Sequence, residues 1–134
     1  MKTIRALSLA CLSGVLFLSH ALAAEPAASP DQRLVGVWQE YQPDSGVTEF
    51  LPDHSLRVYL TKEERGAQNT HWISGSWKIA PGPVLQMDLS AEGQSVHKEA
   101  RLAFDKDELV LIDESKTEAR HRRLSGELPE EYRW

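Results

Sequence analysis

Cysteine is almost missing from this chain. Cys11 is the single one in 134 residues, and it sits inside an apolar N-terminal run. A disulfide framework and a thiolate metal cluster are thereby excluded. Long apolar runs are missing beyond Leu18, so no later stretch has the length of a membrane-spanning helix. Positive charge is outweighed, with 15 Lys and Arg against 20 Asp and Glu. A net charge of −5 argues against nucleic acid and anionic membrane surfaces as partners. No Gly-x-Ser-x-Gly elbow and no glycine-rich phosphate loop occurs. Segments of helical period long enough to cross over a sheet are absent as well, which excludes parallel βαβ architectures.

The first residues read as a leader. Lys2 and Arg5 precede an apolar core from Ala6 to Leu18, and Ala21-Leu22-Ala23 has the small-x-small pattern of a signal-peptidase site. Cleavage is expected after Ala23, giving a periplasmic or secreted product. The rival is a lipoprotein signal at Cys11, although Ser8-Leu9-Ala10 fits a lipobox poorly. Removing Lys2 and Arg5 takes the formal charge from −5 to −7. The domain reading is therefore a signal peptide over 1–23, a flexible linker over 24–28, a barrel domain over 29–124 and a C-terminal tail over 125–134.

What remains is dominated by a period of two. Ser29-Pro30-Asp31-Gln32 has the makings of one capped helical turn, with a plain proline turn as the alternative. Leu34 to Tyr41 then alternates, with Gly36 and Trp38 facing one way and Val35, Val37 and Gln39 the other. Further strands are expected at 47–51, 56–61, 70–79, 84–90, 95–104, 109–112 and 117–124, with a polar loop over Lys62 to Asn69. Lys98 breaks the apolar phase of the sixth. Eight short, closely spaced strands with one alternating face predict an all-β, eight-stranded antiparallel up-and-down barrel with a short helical turn before the first strand. A two-sheet sandwich is the alternative.

Three stretches resemble the lipocalin (calycin) superfamily, and in particular its small bacterial exported members. Gly36-Val37-Trp38 resembles the Gly-x-Trp opening. Glu49-Phe50-Leu51-Pro52-Asp53-His54-Ser55 resembles a Phe-x-x-Asp-Gly turn, with His54 in place of the glycine. Ser74-Gly75-Ser76-Trp77-Lys78-Ile79 resembles a Gly-x-aromatic strand. The resemblance implies a barrel that holds a small apolar molecule. It also implies a late basic residue stacked over the first-strand Trp38. Arg120 or Arg122 is the expected closing partner beside Gly36 and Trp38, with Arg122 preferred.

Shared inward parity nominates Trp38, Phe50, Trp77, Leu85, Met87 and Phe104 as the ligand-facing set. The second expectation is an envelope accessory protein with a filled barrel. It would contact a protein partner through Trp72, Tyr132, Trp134 and the last-strand arginines, or the tail would fold back on the barrel. His54, His71, His97 and His121 show no metal-ligand spacing, so no metal or cofactor is expected. His97 and His121 read as outward-facing, which leaves no inward His–carboxylate pair for an enzyme. Carboxylates fall mostly in turns, so no catalytic residue is nominated. On this reading the mature exported protein begins at Ala24, which N-terminal sequencing checks; a diacylglyceryl-modified Cys11 as first residue would contradict it.

Overall fold

The structure is a computed structural model that describes residues 28–41, 46–66 and 70–133. The leader, the cleavage site, most of the linker, the Pro43–Ser45 part of the first turn and Trp134 lie outside the described residues. The chain opens with α1 (Pro30–Leu34), where Ser29 and Gln32 form a reciprocal capping box and Pro30 occupies the first turn. Eight strands follow: β1 (Gly36–Glu40), β2 (Val47–Phe50), β3 (Ser55–Tyr59), β4 (Trp72–Ala80), β5 (Val84–Ala91), β6 (Gln94–Asp105), β7 (Glu108–Ile112) and β8 (Glu118–Leu124). Each pairs antiparallel with the next, and β8 returns to β1, closing the barrel. The up-and-down barrel expected from the alternation is the fold, and the sandwich is not.

One expected loop is helical. Lys62–Arg65 forms α2, because Thr61 and Glu64 make a second capping box. Extended along the chain, the eight pairing registers accumulate a stagger of twelve residues in one circuit of the barrel. A stagger larger than the strand number tilts the strands steeply and widens the barrel. That width admits three large rings inside: Trp38, Phe50 and Trp77 are at most 3 % exposed. They pack with Leu34, Leu56, Leu85, Leu102 and Leu109 in one buried cluster.

The inward rows follow the register. Gly36, Phe50, Leu56, Gly75, Leu89 and Val96 lie across from one another over six strands. Gly75 is glycine because a Cβ there would sit 2.3 Å from the Asp88 carbonyl oxygen. Trp77 donates its indole N–H to the Ser55 and Leu51 carbonyls at 3.0 and 3.2 Å, and meets Phe50 edge-on at 5.8 Å. His54 adopts φ 66, a left-handed conformation that favours glycine, and its ring lies against Trp77 and bonds Asp31 of α1 at 2.9 Å.

The residue that closes the barrel over Trp38 is Arg123, which corrects the expectation of Arg120 or Arg122. Trp38 pairs directly with Arg123 across β1 and β8, so these two side chains share a face, whereas Arg120 and Arg122 point outward. The Arg123 guanidinium lies 4.3 Å from the Trp38 ring centre. Its two terminal nitrogens donate to the Val35 and Arg33 carbonyls at 2.7 and 2.5 Å, while Trp38 donates its own N–H to the Leu34 carbonyl. Gly36 makes room: at φ 140 it takes a conformation that side chains resist, and a Cβ would fall 2.2 Å from Arg123 Nη1. Arg120 instead pairs with Asp105 and Glu108, both at 3.1 Å, and Arg122 donates to Gln39. Arg123→Ala should cost about 1–2 kcal/mol, from the lost stacking and two charged hydrogen bonds. Arg123→Lys should recover little of it, because an ammonium lacks the planar fork. In urea unfolding the steric part of the Gly36→Ala penalty should vanish when Arg123 is already alanine.

Candidate functional site

The barrel is unequal along its length. β6 has twelve residues and β7 five, and their ladder begins only at Arg101 opposite Ile112. From Gln94 to Ala100, β6 pairs with β5 on one side and with no strand on the other. The wall therefore parts between the first half of β6 and the β7–β8 turn. Val96 faces inward by register opposite Leu89, yet is 47 % exposed. Lys98, the residue out of apolar phase, also faces inward opposite Met87 and is exposed. Its charge is tolerated because no wall stands across from it, and an inward charge of this kind protects an open strand edge.

An open groove of about 620 Å³ lies beside this parting, over the outward-facing row in which Val84, Arg101, Ile112 and Glu118 are paired across four strands. Val84, Ala100 and Ile112 give it apolar lining. Glu99, Asp113, Glu114 and Glu118 line it together with Arg101 and Lys116, four carboxylates to two cations. Part of this charge is committed elsewhere. Asp113 accepts from Thr117 N–H and the Ser115 hydroxyl, which holds its pKa down, and Glu118 sits 3.9 Å from Arg120. The groove can accommodate a drug-sized molecule with an apolar body. Its lining was not legible from parity alone, because it depends on the register that aligns β5, β6, β7 and β8.

Of the side chains nominated as ligand-facing, Trp38, Phe50, Trp77 and Leu85 are buried in the core cluster. Met87 and Phe104 are partly buried against that cluster. Among the nominated partner contacts, Tyr132 is 3 % exposed, so it belongs to the fold and not to a free surface. The tail does fold back: Arg65 of the β3–β4 connection donates to the Arg133 carbonyl at 2.8 Å. Trp72 is held flat against the barrel, with the Arg57 guanidinium 4.4 Å from its ring and Tyr59 edge-on at 6.0 Å. Trp134 lies outside the described residues.

Two histidines have electrostatic environments of opposite sign. His97 lies outside the β5–β6 hairpin between Glu99 at 3.0 Å and Asp88 at 2.7 Å, and these hydrogen bonds raise its pKa. His121 corrects the expected outward parity. It pairs with Leu109 and Glu40 on the inward face and is 8 % exposed. Its parity follows from Arg123, two residues on, which faces Trp38. Burial pushes its pKa below the usual value, and its Nδ1 has no hydrogen-bond partner. Glu40 stands at 4.0 Å, the limit of contact, and does not offset that burial. An inward His–carboxylate pair therefore exists, facing Leu109 inside the core.

No protein-family model, curated protein or solved structure matches this chain.

The two imidazoles should titrate on either side of the reference value of 6.5. For His97 the folded state holds the proton more tightly, so its contribution to stability is complete below 6.5 and lost as pH rises through the raised value. For His121 the unfolded chain takes the proton first, so acidification from 6.5 down to its folded value withdraws stability. Ring-proton NMR should place the His97 midpoint above 6.5 and that of His121 below it. His121→Asn should flatten the loss of thermal midpoint in that acid window; an unchanged pH profile would show that His121 does not carry it.

Proposed function

We propose that this chain is a non-enzymatic, lipocalin-like binding protein, exported to the cell envelope, that holds a small amphipathic molecule in the groove beside β6. The observation that carries the reading is the open groove beside the parting, where apolar Val84, Ala100 and Ile112 line about 620 Å³ of space. Sites for small molecules are concave, mostly apolar and edged by a few polar groups, and this groove has that character. The excess of carboxylates in the lining favours a neutral or cationic head over an anionic one. The ligand lies outside the core cluster that buries Trp38, Phe50 and Trp77. Export is supported by the leader pattern before Ala24, and the relationship by the Gly36-x-Trp38 opening and the turns that follow it.

The test is a titration of the mature protein with Nile red, a neutral apolar fluorophore. Emission should rise saturably, and Ile112→Gln should weaken binding about tenfold, equivalent to ~1.4 kcal/mol, without altering the circular dichroism. Decylamine should displace the dye more effectively than decanoate. A linear rise without saturation, or binding undiminished by Ile112→Gln, would remove this reading.

A further inference from the structure

A second cavity lies at the closed end, where Arg123 covers Trp38, and shares no lining residue with the groove. It measures about 170 Å³ and is lined by Arg33, Trp38, Phe104, Lys106, Asp107 and Arg123. Two guanidiniums wall it, each laid on an aromatic face. Arg33 lies 4.1 Å from the Phe104 ring centre and Arg123 4.3 Å from that of Trp38, while the two rings are 6.3 Å apart. Stacking fixes the planes of both cations. The Arg123 bonds to the Val35 and Arg33 carbonyls and the Arg33 bond to the Lys106 carbonyl fix their positions. Each guanidinium carries five N–H donors. One on Arg33 and two on Arg123 are taken in this way, leaving the rest for another acceptor.

The charge here is not balanced from within. Asp107 is the one carboxylate in the lining, and among the described residues it forms no ion pair with any of the three cations. Arg120 on the same strand as Arg123 shows the contrast, with Asp105, Glu108 and Glu118 all within 4 Å. In a chain of net charge −5, three converging cations and one carboxylate form a positive recess. Convergent like charges repel, and an anion placed between them relieves that repulsion. The volume corresponds to roughly five or six water molecules, which suits a small ion and not an acyl chain. Paired N–H donors on planar guanidiniums match the oxygen edges of carboxylates and phosphates.

We propose that the closed end of the barrel binds a small oxyanion, of the phosphate or carboxylate class, between Arg33, Lys106 and Arg123 and against Trp38 and Phe104. The bound ion would tie α1 to the β6–β7 turn and to the end of β8, three elements that reach this point from distant parts of the chain. It is independent of the groove, and neither site needs the other.

The experiment compares thermal midpoints in sodium phosphate, sodium acetate and sodium chloride at matched ionic strength and pH. At about ten times the dissociation constant, the preferred oxyanion should raise the midpoint of the wild-type protein by about 5 °C over chloride. A larger response to phosphate assigns that class, and a larger response to acetate assigns the carboxylate. Lys106→Asn, chosen because asparagine tolerates the left-handed φ of 56 at this position, should diminish the response, as should Arg33→Gln. Lys98→Gln, at the distant parting, should leave it unchanged. A wild-type response no larger than in chloride, or an undiminished response in either closed-end variant, overturns the proposal.

Discussion

The stacking of Arg123 on Trp38 is the contact on which the rest of this barrel depends. It joins the last strand to the first, which is the step that turns a meander into a closed sheet. A guanidinium does what an apolar side chain could not do here. Its face covers the indole while its edge satisfies carbonyls at the end of α1 that would otherwise lack donors. The Trp38 N–H satisfies a third, on Leu34. Gly36 then follows as a requirement of the same contact, since its missing side chain is where the Arg123 head lies. One ring, one guanidinium and one glycine thus fix the entry of α1, the first strand and the closing strand together.

The two regions of the barrel reflect different balances of burial and opening. At the closed end the wide, steeply staggered sheet is filled by three aromatic rings and a set of leucines. Along β6 the wall parts, because a twelve-residue strand has a five-residue neighbour. Stability rests on the first region and the proposed binding on the second. Separating them lets the groove vary without unpacking the core, as expected when a site is carried on a rigid scaffold. Placing Lys98 on the inner face of the open edge keeps that edge from recruiting another strand.

Charge is distributed by role. Most arginines of this acidic chain have structural partners: Arg57 covers Trp72, Arg65 holds the tail and Arg120 gathers three carboxylates. The closed end departs from that pattern, with cations that converge and a carboxylate that stays apart. The groove carries the opposite excess. The two proposed sites would thus favour ligands of opposite charge.

Period-two alternation, the turn residues between the runs and the Ser29–Gln32 cap determined the fold by themselves, because strand parity and capping are local and need no knowledge of distant partners. They also placed Gly36, Trp38, Phe50 and Trp77 inside. The α2 turn was legible in Thr61 and Glu64, and was obscured by the polarity of the residues around them. Which arginine meets Trp38 was decided only by tertiary structure. Choosing among Arg120, Arg122 and Arg123 depends on the β1–β8 register, a pairing between residues more than eighty positions apart. The same register turned His121 inward. The groove lay further from the sequence still, since its outward row forms only once β5, β6, β7 and β8 are laid in register. The closed-end recess likewise required α1, the β6–β7 turn and β8 to meet, and no local pattern encodes the meeting of three distant segments.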